Sequence, residues 1–213
     1  MTKRYYIMGV CGVGKSTLRE QLRSRLPSVG IYEEWPEAMA TEVLSARDSM
    51  SACSAEDIQE WIFSQLADKN RLVRTDLAEL QIIDRSPLDT FAFYHPQEWK
   101  ARARQMMDVL RMKDSVPLAS GELLFLTGSP RVICGRMDSS RGYSINTIAQ
   151  QQSAFEILAD WLAENFGYTI LRIDTRGLSP EQLAVDALDI INTNNANAYS
   201  PLDIHEVVSS LQA

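Results

Sequence analysis

A short run near the start of the chain, Gly9-Val10-Cys11-Gly12-Val13-Gly14-Lys15-Ser16-Thr17, restricts what the rest can fold into. Its spacing is G-x-x-x-x-G-K-[ST] without departure. A loop of this kind wraps phosphate oxygens with successive backbone N–H groups, so bulky side chains must stay out of its lining. Lys15 then reaches the β- and γ-phosphates, and the Ser16 hydroxyl reaches Mg2+. The flanks agree with this geometry. Arg4–Met8 is short, aromatic and apolar, which predicts a buried strand. From Ser16 onward, Leu18, Leu22 and Leu26 fall on one helical face. Strand, glycine loop and helix together set a helix N-terminus against an anion.

Four more apolar or β-branched runs predict strands: Val29–Glu33, Leu80–Asp84, Leu123–Thr127 and Thr169–Asp174. Helical patterns separate them. A long helix opens at Ser54-Ala55-Glu56-Asp57, with Ile58, Trp61, Ile62, Leu66 and Leu72 proposed for its packed face. Another spans Glu98 to Met112. Alternating strands and helices imply right-handed crossovers, hence an α/β fold with a parallel sheet covered on both faces. With 213 residues, one compact domain is expected over residues 1–191, with a lid at about 131–143. Residues 192–213 form a tail, in which Asn192–Asn197 is a polar break and Pro201–Leu211 holds a short helix.

Composition narrows the partners. Lys and Arg total 21 against 28 Asp and Glu, a net charge of −7, which disfavours broad binding to nucleic-acid phosphates. No apolar run is long enough to span a membrane, and Met1-Thr2-Lys3-Arg4 leads into the first strand without a signal-peptide core. Cys11, Cys53 and Cys134 lack metal-ligand spacing and read as free thiols in a reducing compartment. A cytoplasmic location is the expectation.

The other strand ends offer a second half to the site. Asp84-Arg85-Ser86-Pro87-Leu88-Asp89 follows the third strand, where an acidic residue beside the loop strand can hold Mg2+ directly or through water. Arg85 can grip an acceptor or a phosphate with its forked donors. Ser86 followed by Pro87 also fits a helix cap, compatible with aiming these side chains into the crevice above the sheet. After the second strand comes Tyr32-Glu33-Glu34-Trp35-Pro36, where a carboxylate can take the proton of an attacking hydroxyl. Only one of Glu33 and Glu34 should face the site, because neighbouring strand residues point to opposite sides. Arg131, Arg136 and Arg141 follow the fourth strand on a segment suited to a lid that closes over phosphates. The turn Asp174-Thr175-Arg176, with Ser179-Pro180-Glu181 capping the next helix, lies at the same edge.

Taken in order from about Arg4 to Ile191, these residues resemble the P-loop deoxynucleoside kinases and their nucleotide-kinase relatives. The resemblance implies a three-layer P-loop kinase fold with a five-stranded parallel sheet, helices on both faces and an Arg-containing lid. It implies transfer of the γ-phosphoryl group of ATP to a hydroxyl of a deoxynucleoside-type acceptor. Gly9–Thr17 would hold ATP, with Ser16 and Asp84 on Mg2+. Glu34, or its neighbour Glu33, would be the base, and Arg85 would hold the acceptor. Gln59 would bond the acceptor base, with Trp61 and Asp89 as further acceptor contacts. Arg136 and Arg141 would cover the donor phosphates, and family analogy adds a homodimer. The family's Glu-Pro-Val is replaced here by Glu33-Glu34-Trp35-Pro36, and no Arg-x-Arg ends the lid. Related kinases act on nucleoside monophosphates or on 5-hydroxymethyl-pyrimidine within DNA, the one reading with a nucleic-acid partner. A regulatory P-loop NTPase without a small acceptor is a further alternative.

Overall fold

The computed structural model describes residues 2–34, 55–137, 143–194 and 200–211. Its centre is a parallel sheet of five strands: β1 (Lys3–Met8), β2 (Gly30–Tyr32), β3 (Leu80–Asp84), β4 (Glu122–Thr127) and β5 (Ile170–Asp174). Their spatial order is β2-β3-β1-β4-β5. This is the α/β architecture expected from the alternating pattern, and the strand limits agree closely. The second strand stops at Tyr32, short of Glu33.

Consecutive residues Tyr5, Tyr6, Ile7 and Met8 are all buried, as are Leu123 to Leu126. A strand buried on successive residues is covered on both faces, which is why these runs are continuously apolar rather than alternating. The covering helices are α1 (Lys15–Arg25), α2 (Ala55–Thr75), α3 (Trp99–Met112), α4 (Pro130–Arg136), α5 (Ile145–Phe166), α6 (Pro180–Thr193) and α7 (Ile204–Ser210). One group pairs α1 with α6; in the other, α2 packs on α3 and both α2 and α5 meet a 3₁₀ helix over Pro87–Phe93. Trp99 and Trp161 meet edge to face at 5.4 Å in this second group, a geometry favoured by aromatic quadrupoles.

Helix ends follow the local chemistry. Ser179 and Ser144 accept hydrogen bonds from Gln182 N and Thr147 N, and Pro180 occupies the first turn of α6; each such cap is worth about 1 kcal/mol. The phase of α2 differs from expectation. Its buried stripe carries Gln59, Phe63, Leu66, Asn70 and Val73, while Leu72 is 44% exposed. Leu72 falls outside the i, i+3, i+4, i+7 series that Phe63, Leu66, Asn70 and Val73 define. Ser54, where that helix was expected to open, lies outside the described residues. In α7, Ile204 and Val207 are fully buried, and Leu118 and Leu202 exchange backbone hydrogen bonds of 2.9 Å. No helix among the described residues is long and apolar enough to cross a membrane.

Candidate functional site

The carboxyl ends of β1 and β3 lie side by side, because Ile7 pairs with Asp84 in the ladder and Arg85 N donates to Ile7 O at 3.1 Å. The loop after β1 turns there into α1. Gly9 sits at φ 138°, and a Cβ on it would come within 2.6 Å of the Leu126 backbone oxygen, so only glycine fits. Gly14, at φ 117°, is the N-cap residue of α1 and supplies no side-chain cap; the first turn also has no acidic residue. The first backbone N–H groups of α1 are thus left for an anion, with the positive end of the helix dipole behind them.

Lys15 is buried and donates to Gly9 O and Val10 O, both at 3.0 Å. Burial, helped by the nearby Arg85 charge, pulls its pKa down to about 8, while Asp84 and Glu34 oppose the shift. It lines a cavity of about 680 Å³ together with Ser16, Thr17, Glu34 and Arg85. Cys11, Gly12, Val13 and Gly14 also border it, whereas Val10 is buried and does not. Cys11 and Cys134 form no disulfide among the described residues; Cys53 lies outside the described residues.

Asp84 is 1% exposed. Its Oδ2 faces Arg19 Nη1 at 3.3 Å, and Oδ1 has no hydrogen-bond partner among the described residues. Burial pushes its pKa up, with Lys15 pulling the other way. A buried carboxylate oxygen without a donor, one strand from the exposed Ser16 hydroxyl, suits Mg2+, which takes one or two hard protein oxygens and completes its shell with phosphate and water.

The adjacent glutamates divide. Glu33 turns to α1, meeting Arg23 at 3.1 Å and Arg19 at 3.5 Å. Glu34 turns into the cavity and meets Arg85 Nε at 2.8 Å. Arg85 itself is a non-glycine residue at φ 65°, a sparsely populated conformation that costs energy. Its guanidinium stands 5.3 Å from the Phe93 ring centre and 5.6 Å from that of Phe155, and its Nη1 has no hydrogen-bond partner among the described residues. Ser86 caps the 3₁₀ helix by accepting from Leu88 N, with Pro87 next, so the turn that carries Arg85 is fixed locally. Asp89, in the same helix, is 1% exposed and its carboxylate oxygens form no hydrogen bond among the described residues. Burial raises its pKa to about 6, against the pull of Arg85.

On α2, Gln59 is buried with Nε2 unpartnered among the described residues, and Trp61 is half-buried. Neither lines the cavity described above. Arg136 does, and donates to Thr175 O at 3.4 Å; Thr175, Leu178 and Leu183 line it as well. Arg131 is exposed outside it. Arg141 and the expected loop tip around it lie outside the described residues, as does Trp35.

Two polar residues of this site were not singled out from the sequence. Arg19 bridges Glu33 and Asp84. Lys69, 1% exposed, donates to the backbone oxygens of Asp84, Arg85 and Glu34 at 2.8, 3.0 and 3.2 Å. Burial lowers its pKa to about 8, opposed first by Asp84. The signal was available: Lys69 stands three residues after Leu66 and four before Val73, on the apolar stripe of its helix.

No protein-family model matches the sequence, and no curated protein is similar to it at a significant level. Solved structures do match in shape. A thymidylate kinase from Candida albicans superimposes with a TM-score of 0.68 over 94% of this chain and 98% of its own, at 16% identity. A deoxyadenosine kinase from M. mycoides, solved with dCMP and a flexible dCDP, gives 0.61 over 90% and 100%, at 13% identity. The same kinase with bound dATP gives 0.62 over 89% and 99%, at 14% identity. The chain has the fold of the P-loop nucleoside and nucleotide kinases.

Proposed function

We propose that this chain is an ATP-dependent kinase that transfers the γ-phosphoryl group to a hydroxyl of a nucleoside-type acceptor. The observation that carries the reading is one cavity lined both by the phosphate loop and by the ion pair of Glu34 and Arg85. Kinases of nucleoside-type substrates among the structural neighbours support it.

The loop amides and Lys15 bind the donor phosphates, with Lys15 leaving its carbonyl partners to meet them. Ser16 and Asp84 are the residues that would hold Mg2+, which neutralises charge on the phosphates during transfer. Arg85 orients the acceptor, and Glu34 rather than Glu33 accepts its hydroxyl proton, because Glu33 is engaged by Arg19 and Arg23. As the acceptor oxygen bonds to the γ-phosphorus, the bond to the β–γ bridging oxygen breaks. Arg136, beside the loop, offers charge to the donor phosphates. Gln59 and Asp89 hold unpartnered buried polar atoms but do not line the cavity, so a contact of either with the acceptor would need the site to rearrange. Catalysis on these terms is positioning and charge stabilisation.

A nucleoside monophosphate is the second reading, favoured by the unpartnered Arg85 Nη1, a donor suited to a phosphate oxygen. The test supplies radiolabelled ATP with nucleosides, nucleoside monophosphates, and plain or hydroxymethylated DNA. Label on a free nucleoside supports the first reading, and label on a monophosphate alone selects the second. Release of inorganic phosphate with no labelled acceptor contradicts both.

A further inference from the structure

The β2 strand is short and lies at the sheet edge, and its ladder with β3 ends at the pair Tyr32–Ile83. Glu34 lies two residues beyond that last rung, and Arg85 two residues beyond on the other side. No sheet hydrogen bond therefore sets their separation. The ammonium of Lys69 does so instead, reaching Glu34 O from one strand end and Asp84 O and Arg85 O from the other. An ammonium has three donors, and these three carbonyls use them.

The placement is costly, and the cost is informative. Lys69 is buried without a carboxylate at ion-pairing distance among the described residues. A buried charge is retained only where hydrogen bonds satisfy it and removing it would leave polar groups unpaired. The carbonyls it binds belong to Glu34 and Arg85, the proposed acceptor pair, and to Asp84, the carboxylate proposed for Mg2+. One of them, Arg85, is held at φ 65°, a backbone state that persists only when its surroundings over-determine it. The Arg85 carbonyl is bonded to Lys69 on one side of the bend, and its Nε meets Glu34 on the other. The ammonium, the strained turn and the ion pair close a ring.

We propose that Lys69 is a positioning residue for phosphoryl transfer: by tying Glu34 O, Asp84 O and Arg85 O together, it fixes the Glu34 carboxylate and the Arg85 guanidinium at their working separation. This rests on the kinase reading above. Lys69 does not line the cavity and bonds no residue of the phosphate loop, so its loss spares the loop amides and Lys15 and falls on the Glu34–Arg85 pair.

The test compares Lys69→Met, similar in length but uncharged, with Lys69→Arg, which keeps charge and donors. Three quantities are measured on the full chain: affinity for a fluorescent ATP analogue, label transfer to the acceptor found for the parent protein, and amide exchange over residues 30–34 and 84–86. Lys69→Met should bind the analogue within about threefold of the parent yet lose about 100-fold in kcat/KM for the acceptor, the scale of an ångström-sized misplacement. Its exchange should quicken selectively in the two segments, and Lys69→Arg should recover about tenfold of the lost transfer. Should the Met variant not fold, Lys69→Gln takes its place with the same split expected. Parent-like transfer, unchanged exchange, or equal loss of ATP affinity and acceptor turnover would overturn the proposal. If the parent protein labels no acceptor, the kinase reading fails by itself, and the exchange and ATP-affinity results still decide the role of Lys69.

Discussion

The side proposed for the donor lines the cavity with consecutive residues, Cys11 to Thr17, whereas the side proposed for the acceptor draws on Glu34, Lys69 and the Asp84–Asp89 stretch, far apart in the chain. The donor side works mainly through backbone: open amides at the start of α1 and glycines at angles other residues rarely adopt. The acceptor side works through buried side-chain charges, Lys69 and Arg85 against Asp84 and Asp89, with Glu34 at the margin. A backbone cradle recognises any polyphosphate, so it can be written as a short motif. Side-chain charge clusters are specific to what they hold, and their members need only meet in space.

The first way to break this contrast is Lys15→Ala, which removes the one side-chain charge the donor loop aims at phosphate. Phosphoryl transfer, followed with labelled ATP, should fall by about 10³-fold or more. Activity near the parent level would mean that the cavity is not the reaction site. Arg85→Lys comes next. It keeps the charge but loses the planar fork, so kcat/KM for the acceptor should drop by about 100-fold. ATP affinity, read by the fluorescent analogue, should barely move, and an equal loss on both sides would erase the distinction between the two.

Asp89 sharpens the comparison through pH. Its folded-state pKa is raised to about 6 from 3.8, so the native state binds more protons than the unfolded chain between those values. The sign is that its ionisation costs stability as pH rises from about 4 to about 6, and the full cost persists above. Asp89→Asn should therefore melt at a higher temperature than the parent at pH 8, with the advantage shrinking as pH falls from about 6 to about 4. A constant difference across that range would show that the Asp89 carboxyl is not the buried group inferred. The smallest effect belongs to Glu33→Gln. Glu33 faces Arg19 and Arg23 outside the cavity, so steady-state transfer should change by less than about threefold, as for an exposed ion pair.

The same contrast explains what the sequence made legible. The phosphate loop, the strands and the Asp84-Arg85-Ser86 turn could be read because each is local: a spacing, an apolar run, or a cap followed by proline. The parallel sheet, too, was legible from the alternation of strands with helices, whereas the spatial order of its strands was not. The choice between Glu33 and Glu34 could not be read, since strand alternation sends one of the pair inward without saying which. In the structure Glu33 meets Arg19 on α1 and Glu34 meets Arg85, just ahead of the 3₁₀ helix, and both contacts depend on tertiary packing. Lys69 was overlooked because a lysine on a helix is ordinarily exposed, and only the phase of Leu66, Asn70 and Val73 marks it as inward. The same phase error placed Leu72 on the packed face, although it is 44% exposed.

The claim at the centre of the account is that one cavity holds a separable donor side and acceptor side, joined by Glu34 as the proton acceptor. It is tested most directly by Glu34→Gln, assayed for binding of a fluorescent ATP analogue and for label transfer to the parent's acceptor in the same preparation. The account predicts binding within about threefold of the parent and transfer reduced by about 10²–10⁴-fold, the range for losing a general base. Transfer that survives the substitution, or ATP binding that disappears with it, would contradict the account.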